Sequence, residues 1–362
     1  MYVLDSHCDT PSQINRLRDL SLDNDHAHVD FPKLKRGGVD GAFFALYVPA
    51  SLQGEEAFEY ACRLLKGVED TLEAHPDKAR LAVSPEQAAR NKEEGLFSVF
   101  LGLENGSPIG NSLERIQQFY DAGVRYMTLC HSADNQICDS CASKHKTWGG
   151  LSPFGKEVVN EMNRKGMLID VSHISDDSFW DVMKYTQAPV AATHSCCRSL
   201  ANHPRNMTDD MIKALAAVGG VIQINFYPLF IDEDFAATLA ASGIMERGEE
   251  IERQFIADPS DPAKRAAWNA VQDELLALAR PSYKRIVDHI DHAVAMAGIN
   301  HVGIGSDFDG IEVTPAGMDD ISFMPHVFDE MRTRGYSEED IAKIAGGNFL
   351  RLLKEVSSFS GE

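Results

Sequence analysis

Five apolar segments of this chain, spread over about 300 residues, each end in side chains that can bind a metal ion. They are VLDSHCD with His7 and Asp9, FLGLENG with Glu104, LIDVSH with His173, VAATHS with His194, and VGIGSDFDG with Asp307. In a parallel β/α barrel, catalytic residues come from the C-terminal ends of several different strands. One such segment is common by chance, but five together predict a barrel with a catalytic site at its mouth.

Apolar runs with β-branched and aromatic residues predict eight strands. Continuous runs of this kind, rather than alternating ones, are typical of strands buried on both faces of a parallel sheet. The runs are Val3–Leu4, Ala42–Val48, Ser98–Leu103, Val124–Leu129, Met167–Val171, Val190–Thr193, Val221–Phe226 and Val302–Gly305.

Helical patterns with recognisable ends lie between these runs. The helix Lys156–Lys165 ends at a glycine, Ser175 and Thr208 precede acidic first turns as N-caps, and Ser337 begins a pattern near the C-terminus. The alternation of strand and helix predicts a single (β/α)8 TIM barrel over residues 1–362. No GxGxxG or GxxxxGK pattern follows a strand, which argues against a nucleotide-binding fold.

One segment, residues 231–285, departs from this alternation. It is long, charged and helix-prone, with breaks only at Pro259, Pro262 and Pro281. We expect a helical insertion after the seventh strand, over or beside the barrel mouth. A lid, a contact between the subunits of a homodimer, and a surface elaboration are the three alternatives.

The charge balance limits the possible partners. The chain has 34 basic and 55 acidic residues, a net charge of −21, and no basic patch. It is therefore not expected to bind nucleic acid or an anionic membrane surface. No run reaches the roughly 18 apolar residues of a membrane span, and the N-terminus does not resemble a signal peptide. We expect a soluble, cytoplasmic protein.

The ligand types predict a dinuclear metal centre. His7 and Asp9 are two residues apart in a strand, so their side chains point to the same side. If Glu104 bridges, one ion takes His7, Asp9 and Glu104, and the other takes Glu104, His173 and His194. Zinc accepts this mixture of nitrogen and oxygen ligands. Two such ions can hold a bridging hydroxide and polarise a carbonyl, as a hydrolase requires.

Three further residue types fit roles around such a centre. Asp307, which directly ends its apolar run, is the predicted proton shuttle, with Asp309 as the competitor. His131 follows the fourth run and can stabilise an oxyanion. Arg205 is the candidate for binding a substrate carboxylate, and Arg198 is the alternative.

The chain resembles the membrane (renal) dipeptidase family of the amidohydrolase-type barrels over nearly its whole length. The resemblance is carried, in order, by DSHCDTP, HVDFPKLKRGGVDGAFFALYV, GLENG, LSPFGKEVV, LIDVSHIS, THSCCRSLANHPRNMTDDM, HVGIGSDFDG and GGNFLRLL. It implies a dipeptidase with two zinc ions per chain, often tolerant of a D-residue at the C-terminal position of a dipeptide substrate. The residue roles that it implies are metal binding by His7, Asp9, His173 and His194, bridging by Glu104, substrate contact by His131 and Arg205, and proton transfer by Asp307.

Two other classes of function remain as alternatives. The first is a related amidohydrolase acting on N-acyl amino acids, lactones, phosphoesters or cyclic amides. Many of these bridge their metals with a carboxylated lysine on the fourth strand, and the run VRYMTLCHS contains no lysine. The second is a barrel kept as a binding scaffold, which is disfavoured because no ligand has been lost.

Overall fold

The computed structural model describes residues 1–359, and its core is one parallel sheet. Eight strands follow one another in the order β1-β2-β4-β5-β6-β7-β8-β9, while β3 pairs with β4 outside this path. The strands are β1 Leu4–Cys8, β2 Gly41–Tyr47, β3 Ala79–Leu81, β4 Phe97–Glu104, β5 Val124–Thr128, β6 Leu168–Asp170, β7 Ala191–Ser195, β8 Val221–Ile224 and β9 Val302–Ile304. The predicted (β/α)8 barrel is confirmed, and each of the eight predicted runs corresponds to one strand of the path.

Helices surround the strands. They are α1 Thr10–Asn15, α2 Phe31–Gly37, α3 Gly54–Ala74, α4 Pro85–Glu93, α5 Glu114–Asp121, α6 Pro153–Lys165, α7 Asp176–Tyr185, α8 Asp209–Ala217, α9 Pro228–Ile231, α10 Phe235–Ser242, α11 Ile244–Ala257, α12 Pro262–Leu276, α13 Lys284–Ala297, α14 Met324–Thr333, α15 Glu338–Ala342 and α16 Asn348–Ser358. Ser175 and Thr208 cap α7 and α8 by accepting hydrogen bonds from backbone N–H groups of the first turn.

Strand β3 is an addition that the apolar runs do not predict. It has only three residues, and its register places Ala79 opposite Phe97 at the start of β4. A strand this short carries too few apolar residues to form a recognisable run, so its neighbour rather than its own sequence determines it.

The barrel closes between β1 and the segment that follows β9. The Asp307 N–H donates to the His7 carbonyl at 3.0 Å, and the Asp9 N–H donates to the Phe308 carbonyl at 2.8 Å. These bonds also join two of the predicted site segments directly, because they occur at the C-terminal ends of the strands.

Aromatic side chains fill the opposite end of the barrel. Phe43 stacks on Phe100 and Tyr126 with centroid separations of 4.8 and 5.0 Å, and Phe349 of α16 meets Phe43 edge-on at 5.4 Å. All four side chains are buried. Helix α16 therefore closes this end of the barrel with apolar side chains, and the polar site lies at the other, open end.

Helices α10, α11 and α12 lie within the segment 231–285, between β8 and α13. Strand β8 is the seventh strand of the barrel path, because β3 lies outside it. They form a separate apolar cluster, whose buried members include Phe235, Phe255 and Trp268. Among the described residues, no helix combines the length and the apolar character that crossing a membrane requires.

Close approach at Gly102 predicts a stability effect. A Cβ atom at this position in β4 would lie 2.2 Å from Cζ of Tyr126. Gly102→Ala should therefore lower the free energy of unfolding by about 1–3 kcal/mol through overpacking, as measured by chemical denaturation. Gly67→Ala in α3 is the control, because its nearest contact is the Ile14 methyl group at 3.3 Å. Equal stabilities for the two variants would contradict the prediction.

Candidate metal centre

The C-terminal ends of the strands bring the predicted ligands together. His7 lies in β1 and His194 in β7, Glu104 ends β4, and His173 and Asp307 follow β6 and β9 by three residues each. Ligand atoms within 4.8 Å of one another form three overlapping groups: His7, Glu104 and His194; Glu104, His131 and His173; and His7, Asp9 and Asp307.

The two oxygens of the Glu104 carboxylate face different histidines. Oε2 is 3.4 Å from Nε2 of His7, which is itself 3.5 Å from Oδ2 of Asp9. Oε1 is 3.2 Å from Nε2 of His173 and 3.4 Å from Nε2 of His194. A carboxylate placed in this way is suited to contact two cations, one through each oxygen.

Hydrogen bonds from the barrel interior orient His194. The hydroxyl group of Thr193 donates to Oδ2 of Asp170 at 2.7 Å, so it can only accept from Nδ1–H of His194, at 2.8 Å. Nε2 of the neutral ring is then left with its lone pair directed at the site. Asp170 is fully buried and also accepts from the hydroxyl of Thr128 at 2.6 Å.

His7 is oriented from the same side of the barrel. Its Nδ1 lies 2.8 Å from the hydroxyl oxygen of Tyr126, a member of the aromatic cluster below the site. Tyr126, Thr193 and Asp170 were not recognised as site residues from the sequence. The signal available was the position of Thr193 beside His194 and of Asp170 three residues before His173.

Charge is concentrated in this buried mouth. Burial and the neighbouring Glu104 charge raise the pKa of Asp9 to about 6. Burial acts to lower the pKa of His7, but the Glu104 and Asp9 carboxylates outweigh it and raise that pKa well above its usual value. Burial lowers the pKa of His173 and of His194 well below the usual value, so these two rings are neutral.

The donor set fits a metal centre. Nε2 of His7 and Oδ1 of Asp9 are buried and have no hydrogen-bond partner among the described residues. Buried polar atoms normally have partners, so these two atoms are suited to bind a metal ion. Imidazole nitrogens and carboxylate oxygens are the ligands that zinc accepts.

Two site residues have strained backbones. His173 and Asp307 have φ values of 69° and 67°, in the left-handed region that side chains other than glycine rarely adopt. Such conformations cost about 1–3 kcal/mol each and cluster at functional sites.

The structure distinguishes the two aspartates of the last segment. Oδ1 of Asp307 is 3.9 Å from Nε2 of His7, and its Oδ2 accepts from the amide group of Asn225 at 2.8 Å. Burial raises the pKa of Asp307. Asp309 instead forms an ion pair with Arg18 at 2.7 Å, so its carboxylate is already occupied.

His131 lies beside Glu104, with its Nε2 3.6 Å from Oε1. Its ring packs against His173 with 4.1 Å between centroids, and its Nδ1 is buried without a partner in the described part of the chain. Burial, with the nearby Arg205 charge, lowers the pKa of His131 to about 3, so the ring is neutral. A neutral imidazole at this position can donate one hydrogen bond to a bound substrate.

The two candidate arginines have different surroundings. Arg205 is 8% exposed, donates to the His194 carbonyl at 2.9 Å, and leaves its buried Nε–H without a partner among the described residues. Arg198 is bound through both terminal nitrogens to Asp176, at 2.7 and 2.8 Å. Arg205 therefore has spare donors beside the site, and Arg198 does not.

A cavity of about 360 Å³ opens from this centre. Asp9, Glu104, His131, His173 and Asp307 line its inner end. Its outer wall includes residues of α11 and α12, namely Glu252, Trp268 and Gln272. The segment 231–285 therefore contributes directly to the space that a substrate would occupy.

The fold and this site define a metal-dependent hydrolase barrel, and comparison with known proteins identifies its family. The model of the membrane dipeptidase family (Peptidase family M19) matches residues 1–362, and the chain belongs to this family. As predicted, it is a metallo-dipeptidase.

Individual relatives agree with this assignment. Dipeptidase verJ of Clonostachys rogersoniana is 31% identical over 362 residues, which is 97% of this chain and 81% of that protein. An uncharacterised dipeptidase of Schizosaccharomyces pombe is 30% identical over 375 residues, covering 97% of this chain and 80% of that protein. The crystal structure of the probable dipeptidase PvdM from Pseudomonas aeruginosa superposes with a TM-score of 0.81 at 27% identity, covering 99% and 96% of the two chains.

Removal of the Thr193 hydroxyl tests the orientation of His194. Thr193→Val leaves Nδ1–H of His194 without its acceptor and should weaken the binding of added zinc, used as the test metal, by about 10–100-fold. Competition with a chromophoric chelator measures this affinity. Thr71→Val is the matched control, because the hydroxyl of Thr71 bonds only within α3, to the Gly67 carbonyl. Unchanged zinc affinity in Thr193→Val would refute the orienting role.

Proposed function

We propose that this protein hydrolyses the peptide bond of dipeptides with two zinc ions, and that it tolerates a D-residue at the C-terminal position. The observation that carries the proposal is the convergence of His7, His173 and His194 on the two oxygens of Glu104, with Asp9 beside His7. One zinc ion would be held by His7, Asp9 and Glu104, and the other by Glu104, His173 and His194. The ions would supply Lewis acidity, which lowers the pKa of water and polarises a carbonyl.

Three side chains around the centre have the remaining roles in catalysis and substrate binding. Asp307 takes a proton from the attacking water and gives it to the leaving amine, for which its raised pKa is suitable. The neutral His131 donates a hydrogen bond to the oxygen of the scissile carbonyl as negative charge develops there. Arg205 binds the C-terminal carboxylate of the dipeptide with its spare N–H donors.

Replacement of Asp307 tests the proton transfer. Asp307→Asn keeps an acceptor for the Asn225 amide but cannot carry the proton. It should lower kcat for L-alanyl-D-alanine by at least about 10²–10⁴-fold, while zinc content by mass spectrometry stays near two per chain. Asp309→Asn is the comparison, since it loses the Arg18 ion pair. It should lower the melting temperature and leave kcat close to the wild-type value. Substantial turnover by Asp307→Asn would remove its assigned role.

Replacement of Arg205 tests carboxylate binding. Arg205→Ala should raise KM for L-alanyl-D-alanine by about tenfold or more, because a charge-assisted bidentate contact is lost. The same variant should change KM for the C-terminal amide of that dipeptide far less. Arg198→Ala serves as the control, because it removes an arginine that is bound to Asp176. Equal effects of Arg205→Ala on acid and amide would show that Arg205 does not bind the carboxylate.

The wild-type protein should be assayed on dipeptides that differ in C-terminal chirality, together with N-acyl amino acids and lactones. Preferential cleavage of the dipeptides supports the proposal. Preferential cleavage of either other class would replace it with the related amidohydrolase activity.

A further inference from the structure

The outer wall of the cavity carries a carboxylate without a cationic partner. Oε2 of Glu312 accepts a hydrogen bond from the hydroxyl of Tyr227 at 2.9 Å, and both residues line the cavity. Within residues 1–359, no lysine, arginine or histidine nitrogen lies within 4 Å of the Glu312 carboxylate. The charged group of Glu312 is therefore available to a molecule in the cavity.

Three basic side chains that line the cavity differ from Glu312, because they already have acidic partners. The pairs are Arg18 with Asp309 at 2.7 Å, Arg16 with Glu252 at 3.4 Å, and His26 with Asp273 at 3.1 Å. Burial raises the pKa of Glu312, and the Glu252 and Asp307 charges raise it further. A cation brought in by a ligand would relieve this unfavourable environment.

A row of contacts connects this carboxylate to Arg205. The guanidinium carbon of Arg205 lies 5.3 Å from the centre of the Phe230 ring, and the Phe230 and Tyr227 rings are 5.0 Å apart. The Tyr227 hydroxyl then reaches Glu312. A cation and an anion thus stand at the two ends of a pair of aromatic rings. This arrangement is complementary to a ligand with a carboxylate at one end and a positive charge at the other.

We propose that Glu312 is a specificity-determining residue that binds a positively charged group on the N-terminal residue of the dipeptide. This inference rests on the proposed function, because Arg205 takes the C-terminal carboxylate and leaves the substrate's cation for the opposite end of the row. The cation is either the α-ammonium group or the side chain of a basic residue. Both present the same chemistry to Glu312, and the substrates below distinguish them.

Three compounds remove the candidate charges one at a time. L-Lysyl-D-alanine has both, L-norleucyl-D-alanine lacks the side-chain charge, and hexanoyl-D-alanine lacks the α-ammonium group as well. Glu312→Gln keeps the size of the side chain and an acceptor for Tyr227 but removes the negative charge. Glu250→Gln is the matched control, since Glu250 is an exposed residue of α11 outside the cavity.

Glu312→Gln should lower kcat/KM by about tenfold or more for each compound that carries the bound cation, and Glu250→Gln should change none. A loss confined to the lysyl compound identifies the side chain, and equal losses for the lysyl and norleucyl compounds identify the α-ammonium group. Equal losses for all three compounds, or no loss for any, would overturn the proposal.

Binding provides a readout that does not depend on turnover. Dissociation constants for phosphinate analogues of the three compounds, measured by calorimetry on zinc-loaded protein, should change with Glu312→Gln in the same pattern. If that pattern holds while no dipeptide is cleaved, the proposed function fails and the role of Glu312 stands. If dipeptides are cleaved but the pattern is absent, the role of Glu312 fails alone.

Discussion

The arrangement of the candidate metal centre depends on one buried carboxylate, that of Glu104, which lies among four histidines. Its oxygens lie 3.2–3.6 Å from the nearest nitrogens of His7, His131, His173 and His194. With Asp9 and Asp307 close by, the mouth of the barrel collects negative charge away from water. Buried charge is costly without compensation, so the site favours cations. Folding of the barrel is what brings the charges together, because each comes from a different segment.

The support for this site lies inside the barrel rather than in its loops. Tyr126 connects His7 to the aromatic layer that α16 covers, and Thr193 connects His194 to the buried Asp170. Side chains on strands, held by packing and hydrogen bonds, are positioned more accurately than side chains on loops. The same packing explains the glycine at position 102, where Tyr126 leaves no space for a Cβ atom.

The outer part of the cavity is built by different parts of the chain and has a different character. Helices α11 and α12 supply one wall, and the segment after β9 supplies Glu312. Three basic side chains there are paired with acidic ones, whereas Glu312 has no cationic partner among the described residues. Arg205, which lies next to Phe230 at the other end of the pair of rings, has a buried Nε–H without a partner in the same part of the chain. The candidate metal ligands and the proposed substrate-binding groups therefore come from different layers of the fold, with the former at the strand ends, where barrels carry their reactive groups.

The sequence by itself determined the eight barrel strands, several helix caps and the residues that meet at the mouth. These features are local: an apolar run makes a buried strand, and a polar residue at its end projects from the sheet edge. Ion pairs between residues distant in the chain are not local, and only the tertiary structure decided which of them form. Arg18 binds Asp309, whereas Asp307 faces His7. Asp176 binds both terminal nitrogens of Arg198, whereas Arg205 has no carboxylate partner among the described residues. Strand β3, Tyr126 and Glu312 escaped prediction for the same reason, because their roles come from neighbours distant in the chain.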